Sequence, residues 1–379
     1  MLVNYFPPLP TGGAQRQAER LATYLAARDV KVGVITRRVG PLLKHERRDG
    51  FDVNRLMQIG PGKMKTLTFT LAAIIALLRL RDSYDILHAH LASSPAIAGA
   101  IAGKLLRKRV IVKFGNSDSF GDVQSAQKSW RGRLRFFILR RWADLCIALD
   151  PGMEKEILDA GFKRDRVILM DNGIEAEDFV PCSDKAGAKK TLGLSGLENK
   201  TVILYTGRLV AQKALHLLLE AIQHALTIYQ DLHLLIIGQG EEKDALIALA
   251  KKLQIQDNVT FVEQVDDVKP FLNVADIFTL PSFAEGISNS LLEAMSCGLA
   301  CIATRVGGSP EVLGNGEYGL LINPNNSEEL SNAIIRLRKD AEESHRLGIK
   351  ARDRILERYD FRVVGRQYYD LYNRLLENQ

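Results

Sequence analysis

The sequence predicts an α/β protein with two doubly wound parallel sheets, and three observations support this. The chain has 379 residues, which at about 150 residues per domain indicates at least two domains. Short runs of β-branched and leucine residues alternate with helix-period segments in both halves, as is typical of parallel sheets covered by helices. A turn-rich stretch at residues 172–181 separates the halves, as expected of an interdomain connection.

The first half is predicted to form one sheet with helices on it. Its candidate strands lie at residues 2–5, 31–36, 86–88, 110–113, 144–148 and 167–170. Residues 15–28 and 95–106 carry apolar side chains at helical spacing between those strands. The weakly polar run at residues 66–78 is thirteen residues long, short of the roughly 18 to 20 needed to cross a bilayer. We therefore expect it to be a buried helix.

The second half repeats this pattern. Its candidate strands lie at residues 202–205, 232–237, 259–262, 277–280 and 300–303, and its candidate helices at residues 215–229, 241–253 and 290–296. Residues 361–376 place apolar and aromatic side chains on one helical face, which predicts an amphipathic helix that covers another surface. The predicted division is an N-terminal domain at residues 1–175, a C-terminal domain at 176–360 and a closing helix at 361–379.

Composition and charge narrow the functional classes. Apolar residues make up 46% of the chain and charged residues 25%, which excludes collagen-like and disordered chains. The four cysteines are not closely paired, which predicts free thiols in a reducing compartment and no zinc site. The chain start shows no secretory signal pattern, so a cytoplasmic protein is expected. Residues 1–180 hold 29 Lys and Arg against 19 Asp and Glu, and such a basic half can attract phosphorylated substrates, an anionic membrane or nucleic acid.

Two glycine loops follow predicted strands, where doubly wound sheets bind their ligands. Gly12 and Gly13 precede a helix whose first amides can meet an anion. Gly238 and Gly240 follow a strand of the second half. Both loops lack the third glycine of a dinucleotide fingerprint, so neither supports a nicotinamide cofactor. A plain tight turn is the alternative for the first loop.

Arg208 and Lys213 stand five positions apart after another strand of the second half. An arginine fork and a lysine ammonium at one strand end can converge on a diphosphate. The alternative is a pair of solvated loop charges. This loop is therefore a candidate site for recognition of an anion.

Glu285 and Glu293 flank a glycine-led loop and the start of a helix. Asn289 or Ser290 is the predicted N-cap, which places the amides of residues 286–291 towards a ligand and the second acid one turn into the helix. A carboxylate accepts two hydrogen bonds and suits sugar hydroxyls, beside a phosphate at the helix start. Alternatively, both acids only favour the helix dipole.

His88 and His90 share one face of a predicted strand. No histidine or carboxylate cluster lies near them in sequence, and the chain contains no Asp-x-Asp motif, so no metal site is predicted. We interpret His90 as lining a ligand-binding cleft, with core packing as the alternative.

Residues 128–142, from Lys128 to Trp142, combine six cations with four aromatic rings. A basic amphipathic helix with this composition is typical of a peripheral membrane contact. The alternative is a surface helix that docks its apolar side on the sheet, and Gly132 weakens it as a helix. Nucleic acid is not expected as a partner, because no reader motif accompanies the charge.

Five segments in one order resemble the retaining glycosyltransferases of family 4. They are Gly12-Gly13, Asn172-Gly173-Ile174 with Phe179, the loop from Gly207 to Lys213, the Glu285 and Glu293 pair, and residues 293–298. The resemblance runs from about Asn4 to Tyr372. It implies the GT-B fold, in which two Rossmann-like domains face each other across a cleft. The first would bind the acceptor, the second the nucleotide sugar, and the last helix would pack back on the first domain.

The resemblance also assigns roles to individual residues. The match to Glu293 would hold the ribose, the match to Glu285 the transferred sugar, and backbone near Val262 and Glu263 the base. The implied catalytic residues are Arg208, Lys213 and Glu285, and the implied donor-binding residues are Gly12, Gly13, Val262, Gly286, Ile287, Ser288, Ser290, Leu291 and Glu293. No cofactor is implied, since the nucleotide sugar is a substrate.

One part of the family pattern is missing. Many members carry a histidine beside the transferred sugar at the end of the strand that matches residues 110–113. This chain continues with Phe114, Gly115 and Asn116. Gly115 and Asn116 are candidates for a backbone or amide contact there, and His90 is a candidate for the cleft or acceptor site.

The resemblance implies a metal-independent retaining glycosyltransferase that moves a hexose from a nucleoside diphosphate sugar to a hydroxyl. A UDP-sugar is expected in preference to a GDP-sugar, on family frequency. The basic first half suggests a lipid-linked or polysaccharide acceptor, used at the inner face of the membrane in synthesis of cell-surface polysaccharide or glycolipid. The alternatives are a nucleotide-sugar epimerase of similar shape and a non-catalytic sugar-nucleotide binding protein.

Overall fold

The computed structural model describes residues 1–9, 12–115 and 121–377. The chain divides into two compact units, Met1–Gly173 with Phe361–Gln379, and Ile174–Asp360. Each unit is built around a largely parallel sheet with helices packed on it. Both sheets therefore have the α/β organisation that the sequence predicts.

Within the described residues, the first unit carries seven strands in two hydrogen-bonded groups. They are β1 (Gly33–Arg37), β2 (His45–Arg48), β3 (Phe51–Leu56), β4 (Ile86–His90), β5 (Arg109–Lys113), β6 (Leu145–Ala148) and β7 (Val167–Leu169). Their orders are β1-β3-β2 and β4-β5-β6-β7, and Leu2 joins the groups through parallel bridges to Ile35 and Ala89. The predicted strand at residues 2–5 is thus reduced to one bridging residue, Leu2, at the centre. From there the strand order runs outwards in both directions, which creates a switch point.

The hairpin of β2 and β3 is absent from the sequence prediction. β2 pairs antiparallel with β3 and has the sequence His-Glu-Arg-Arg, which lacks the apolar residues that mark a strand. Charged residues of this kind protect a sheet edge from further pairing. Asp49 and Gly50 make the turn with φ values of 46° and 85°. Because Asp-Gly is a strong hairpin signal, this dipeptide was the available clue.

In the part of the first unit that the structure describes, six α-helices precede the last strand. They are α1 (Gly13–Ala26), α2 (Lys63–Arg79), α3 (Ser94–Leu106), α4 (Asp122–Gln127), α5 (Trp130–Trp142) and α6 (Pro151–Asp159). α3 contacts both α2 and α5 and is rich in alanine and glycine. A Cβ at Gly103 would lie 2.2 Å from Val110 Cγ2, so small residues allow α3 to approach β5 closely.

The predicted buried helix at residues 66–78 is buried on one side only. α2 buries Phe69, Ala73 and Leu77, whereas Leu67 and Leu71 are 60% and 51% exposed. The prediction is wrong for the outer face because the run is apolar all round. Hydrophobicity alone therefore could not show which side contacts the protein.

The second unit contains a six-stranded parallel sheet. Its strands are β8 (Thr201–Thr206), β9 (Leu232–Ile237), β10 (Val259–Val262), β11 (Ile277–Leu280), β12 (Ala300–Thr304) and β13 (Leu320–Ile322). The order is β10-β9-β8-β11-β12-β13, which within the unit reads 3-2-1-4-5-6. Chain order reverses between β8 and β11, and this is the switch point of a doubly wound sheet. The short strand β13 was not predicted.

Eight helices accompany this second sheet. They are α7 (Lys185–Thr191), α8 (Leu215–Leu226), α9 (Lys243–Lys252), α10 (Lys269–Val274), α11 (Asn289–Ser296), α12 (Ser309–Val312), α13 (Ser327–Lys339) and α14 (Ala341–Arg354), followed by a π-helical turn at Ile355–Tyr359. Side-chain caps start α13 and α14, since Asn326 and Asp340 each accept a hydrogen bond from the backbone N–H three residues ahead, at 2.9 and 2.8 Å. Such caps satisfy donors that a helix start leaves unpaired.

The last helix, α15 (Phe361–Glu377), belongs to the first unit. Its buried row joins the core around α1 and consists of Phe361, Val364, Tyr368 and Leu371. A Cβ at Gly365 would lie 2.7 Å from the Tyr24 ring, so glycine permits the close approach of α15 to α1. The apolar face of the amphipathic helix therefore covers the first sheet.

The connection at residues 172–174 is fixed by contacts within each unit. Gln17 donates its Nε2 to Gly173 O at 2.7 Å and accepts from Gly173 N at 3.1 Å. A Cβ at Gly173 would lie 2.8 Å from the Phe361 ring, so glycine suits this position. In the second unit, Ile174 N donates to Tyr359 O at 2.9 Å.

Cys146, Cys182, Cys297 and Cys301 are free thiols. In the part of the chain that the structure describes, no helix combines the length and apolarity needed to cross a bilayer.

Candidate active site

Two loops meet at the switch point of the second sheet. The first runs from Gly207 to a 3₁₀ turn at Ala211–Lys213, after β8, and the second covers residues 281–288, after β11. Because β8 and β11 are parallel neighbours, their carboxyl ends open side by side. Ligands of doubly wound sheets bind at this place.

Lys213 and Glu285 form an ion pair there. Lys213 Nζ lies 2.5 Å from Glu285 Oε1, and Ser282 Oγ donates to the same oxygen at 2.6 Å. The side chains of the pair are 13% and 7% exposed, so the charges interact largely out of water, where their attraction is stronger than at the surface. The structure thus brings two of the three predicted catalytic residues into contact.

Hydrogen bonds fix the two loops against each other. Gln212 donates its Nε2 to Ala284 O at 2.7 Å, and Phe283 N donates to Gln212 O at 2.8 Å. Thr304, at the end of β12, donates its Oγ1 to Ser282 O at 2.6 Å. The loop that carries the carboxylate is therefore anchored to the loop after β8 and to the end of β12, which favours a fixed site geometry.

Gly307 and Gly308, after β12, are site residues that sequence reasoning missed. Gly307 has φ +51°, and a Cβ there would lie 2.0 Å from Glu285 O. Gly308 N donates to Gly286 O at 3.1 Å. A glycine pair directly after a strand, as at Gly12 and Gly13, was the signal that could have found them.

Gly307→Ala is expected to lower turnover roughly ten- to a hundredfold, because misplacing a reacting group by about 1 Å has effects of this size. The added Cβ would displace the Glu285 backbone, and a left-handed φ costs about 1 kcal/mol for a residue with a Cβ. Steady-state kcat and a thermal melt would separate the two effects. Gly196→Ala is the control, since a Cβ at Gly196 meets nothing within 4 Å. Unchanged kcat in Gly307→Ala would contradict a role for the Glu285 position.

α11 starts one residue earlier than predicted. Its N-cap residue is Ser288, with extended φ and ψ of −74° and 123°, so the prediction of Asn289 or Ser290 is wrong. The Ser288 hydroxyl makes no capping bond and instead lies 3.1 Å from Ser290 Oγ. Glu293 is one turn into the helix, as predicted, and is 3% exposed. The helix start directs its positive end towards this edge of the sheet.

The other predicted donor residues lie along the same edge. Arg208 is exposed, and its carbonyl accepts from Tyr205 OH at 3.0 Å. Ile287 and Leu291 are buried. Val262 ends β10 and its carbonyl accepts from Gly238 N at 3.1 Å. The loops after β8, β9 and β10 are therefore held side by side.

Glu263 follows Val262 on the surface. It forms an ion pair with Lys243 and accepts from Gln239 Nε2 at 2.9 Å. These two hydrogen bonds lower the pKa of the Glu263 carboxyl.

In the first unit, Gly12 is the N-cap residue of α1 and Gly13 its first residue. Gly115 lies two residues after the end of β5. Asn116 lies outside the described residues, so its proposed amide contact stays a prediction.

His88 and His90 stack with ring centroids 4.2 Å apart. They are 2% and 1% exposed, and His88 Nδ1 lies 2.6 Å from Tyr372 OH. Burial, followed by the charge of Lys113, lowers the pKa of His88 well below its ordinary value. His90 is thus a buried residue of the first unit, and its role at a cleft stays a prediction.

Lys113, at the end of β5, is a buried cation that sequence reasoning treated only as part of a strand. It is 6% exposed, donates to Asn172 Oδ1 at 2.8 Å and lies 5.2 Å from the centre of the Tyr368 ring. Burial lowers the pKa of Lys113 to about 7, and Asp171 opposes this shift. His88 and His90 on β4 and Lys113 on β5 are therefore three buried basic groups on neighbouring strands.

The second unit offers the chemistry of a phosphate and carbohydrate site. A lysine and a helix start favour an anion, and two buried carboxylates can accept hydrogen bonds from hydroxyls. Within the described residues, no three His, Cys, Asp or Glu side chains come together as metal ligands.

Two family models match the chain. Residues 11–178 match the model described as Glycosyltransferase Family 4, and residues 194–354 match the model described as Glycosyl transferases group 1. The first match falls mainly on the first unit and the second lies within the second unit.

Curated relatives cover most of the chain. The N-acetyl-alpha-D-glucosaminyl L-malate synthase of Bacillus anthracis is 28% identical over 308 residues, which cover 81% of this chain and 79% of the relative. The UDP-Gal:alpha-D-GlcNAc-diphosphoundecaprenol alpha-1,3-galactosyltransferase of Escherichia coli is 27% identical over 71% of this chain and 70% of its own length.

Solved structures share the architecture. HepE of Anabaena, solved in complex with UDP, aligns with a TM-score of 0.82 at 20% identity over 98% of each chain. Sucrose-phosphate synthase from Thermosynechococcus elongatus aligns with a TM-score of 0.82 at 23% identity over the full length of both. The solved structures show the GT-B fold, and the family models with the curated relatives show a glycosyltransferase. With both family models matched, the chain belongs to glycosyltransferase family 4.

Proposed function

We propose that this glycosyltransferase moves a hexose from a nucleoside diphosphate sugar to a hydroxyl acceptor, with retention of anomeric configuration and without a metal ion. The ion pair of Lys213 and Glu285 at the second switch point supports the proposal most strongly. A cation beside a helix start suits a diphosphate. An adjacent carboxylate suits the hydroxyls of the sugar attached to it.

The proposed donor is a UDP-sugar. HepE of Anabaena was solved in complex with UDP-glucose, and the relative from Escherichia coli is named for UDP-Gal. Glu293, buried in α11, would accept hydrogen bonds from the ribose hydroxyls. Backbone near Val262 would contact the base, and Arg208 with Lys213 would neutralise the diphosphate.

Transfer would proceed on one face of the sugar. The bond from the anomeric carbon to the diphosphate oxygen breaks, the bond to the acceptor oxygen forms, and the acceptor proton passes to the departing diphosphate. Lys213 would move from Glu285 to that diphosphate, which leaves the carboxylate to hold the sugar. A preorganised donor of this kind contributes on the order of 3 kcal/mol to stabilisation of a transition state.

The proposed acceptor is lipid-linked or part of a polysaccharide, and the proposed location is the inner face of a membrane. The relative from Escherichia coli is named for a diphosphoundecaprenol-linked sugar. The excess of cations in residues 1–180 suits an acceptor that carries phosphate.

Glu293→Ala is expected to weaken UDP binding about a hundredfold or more, because two charge-assisted hydrogen bonds are each worth roughly 1.5 kcal/mol or more. Isothermal titration calorimetry with UDP would measure the loss. Glu342→Ala, an exposed acid in the first turn of α14, is the matched control. Equal affinity in Glu293→Ala and wild type would contradict the ribose assignment.

A panel of UDP- and GDP-hexoses tests the function itself. Thermal shift identifies the donor, since a ligand that binds the folded state raises Tm, and nuclear magnetic resonance of the product gives its anomeric configuration. Transfer with retention that persists in a metal chelator would support the proposal. An altered sugar nucleotide formed without an acceptor would indicate an epimerase instead, and binding without turnover a non-catalytic protein.

A further inference from the structure

Three neighbouring helices of the first unit carry cations and no acids. α3 contacts both α2 and α5. α2 contributes three Lys and Arg residues, α3 one and α5 five, and the sequences of all three helices contain no Asp or Glu. We call their outward faces the α2–α3–α5 surface. Surfaces of globular proteins usually mix both signs of charge, so this one is unusual.

The outward face of α2 is a row of apolar side chains. Met64, Leu67, Leu71 and Ile75 are each between 49% and 60% exposed. At about 100° per residue, Leu71 lies roughly 200° around the helix axis from the buried Phe69. The row therefore points away from the core. Burying such side chains against water-free material would be favourable.

α5 presents a second row of the same kind. Trp130, Leu134 and Phe137 are each between 50% and 63% exposed, whereas Phe136 and Leu139 face the interior. The exposed arginines of α5 flank this row. α5 thus docks on its unit by one face and leaves an apolar and basic face exposed. The two interpretations of residues 128–142, a docked surface helix and a peripheral membrane contact, are therefore compatible.

A basic pocket adjoins the ends of α3 and α5 and adds to the positive charge. It has a volume of about 440 Å³, and its cations are Lys104, Arg107, Lys108, Arg109, Arg141 and Arg166. Asp144 also lines it, and Lys108 pairs with Asp85 at 3.5 Å. Two helix C-termini add roughly half a negative charge each. The groups named here therefore sum to a net charge of about +3.

We propose that the α2–α3–α5 surface docks on an anionic lipid bilayer. Apolar rows of Met, Leu, Ile, Trp and Phe enter the boundary between headgroups and acyl chains, and the surrounding Lys and Arg side chains meet lipid phosphates. This arrangement combines the two signals, apolar and electrostatic, that stable peripheral binding needs. It extends the membrane contact suggested by residues 128–142 to α2, whose exposed row only the structure reveals.

The charge of the surface argues against other occupants. A second copy of the chain would bring nine like charges against nine, which opposes self-association. Nucleic acid would meet the cations but would leave the apolar rows in water. An anionic bilayer satisfies both features at once.

Co-sedimentation of the full chain with vesicles tests the docking surface. Binding is expected to vesicles of phosphatidylglycerol with phosphatidylcholine, and to be much weaker to phosphatidylcholine alone. Leu71→Gln with Ile75→Gln is expected to reduce partitioning at least about tenfold. The matched control is Ile228→Gln with Ile349→Gln, two side chains of the second unit that are 55% and 50% exposed.

A second pair of variants tests the charges. Arg133→Gln with Arg141→Gln is expected to weaken binding roughly tenfold at low salt, whereas Lys251→Gln with Lys252→Gln, exposed at the end of α9, is expected to have little effect. No binding of wild type to anionic vesicles, or equal loss in variants and controls, would overturn the proposal. A dimer in solution that the α2 variant dissociates would overturn it in favour of self-association. UDP affinity, measured on the same variants, should stay unchanged, which keeps this test separate from that of the donor site.

Discussion

Replacing Lys213 by alanine is expected to lower kcat about a hundred- to a thousandfold, with a smaller effect on UDP affinity. The ammonium lies at the second switch point, 2.5 Å from the Glu285 carboxylate and 13% exposed. If the charge acts mainly on the departing diphosphate, its loss raises the energy of the transition state more than that of the bound substrate. Steady-state kinetics and calorimetry on the same preparation would show this split.

The loss of Lys213 also affects the carboxylate that remains. Glu285 would keep the hydrogen bond from Ser282 at 2.6 Å but would lose its cation in a site that is 7% exposed. A buried carboxylate without a cation is destabilising, so the melting temperature is expected to fall as well. Lys213→Arg retains a positive charge and should recover part of both losses.

Lys185→Ala is the matched control for Lys213→Ala. Lys185 pairs with Asp276 at 2.9 Å in the same unit. Because Asp276 precedes β11, this pair lies at the amino-terminal ends of the strands, opposite to the site of Lys213. Lys185→Ala should lower the free energy of unfolding without changing kcat. Wild-type turnover in Lys213→Ala would rule out the assignment of the leaving group.

The pairing of Lys213 with Glu285 shows what spacing along the chain cannot give. The residues are 72 positions apart, and they meet because β8 and β11 are neighbours in the sheet. The alternation of strands and helices predicts a parallel sheet, but it does not predict the order of strands within it. From the sequence, only the resemblance to family 4 predicted that these two loops form one site.

Elements that depart from simple hydrophobic patterns were the ones that sequence reasoning missed. β2 is charged because it forms an edge, and Gly307 is required by the close approach of Glu285 O, a tertiary contact. The sequence predicts that the outer row of α2 belongs to the core, because its side chains are apolar. For β2 and Gly307 the decisive partner is distant in sequence, whereas in α2 no sequence signal separates the exposed apolar row from the buried one.

Lys113 is expected to make the stability of the fold depend on pH. The free energy of unfolding is expected to rise by about 1.5 kcal/mol between pH 7 and 8.5 through this residue. Burial lowers its pKa in the folded protein from 10.5 to about 7. Below pH 7 both states carry the ammonium, and the folded state carries the cost of burying it. Above pH 7 the folded protein loses the proton while the unfolded chain keeps it, so stability increases with pH.

Denaturant titrations at several pH values would measure this rise, and Lys113→Met should remove the part that Lys113 contributes. Burial also lowers the pKa of the Met1 α-amine from 8.0 to about 5, so the α-amine raises stability with pH up to about pH 8 in both proteins, and the difference between their slopes isolates Lys113. Burial lowers the pKa values of His88 and His90 below 6.5. These two residues also make stability rise with pH, but they do so below pH 6.5. Burial raises the pKa of Cys146 from 9.0 to about 12, which lowers stability at pH values above about 9. An equal slope in Lys113→Met and wild type would mean that the amine remains charged inside the fold, held by Asn172 and the Tyr368 ring, and that its burial there costs less than its surroundings suggest.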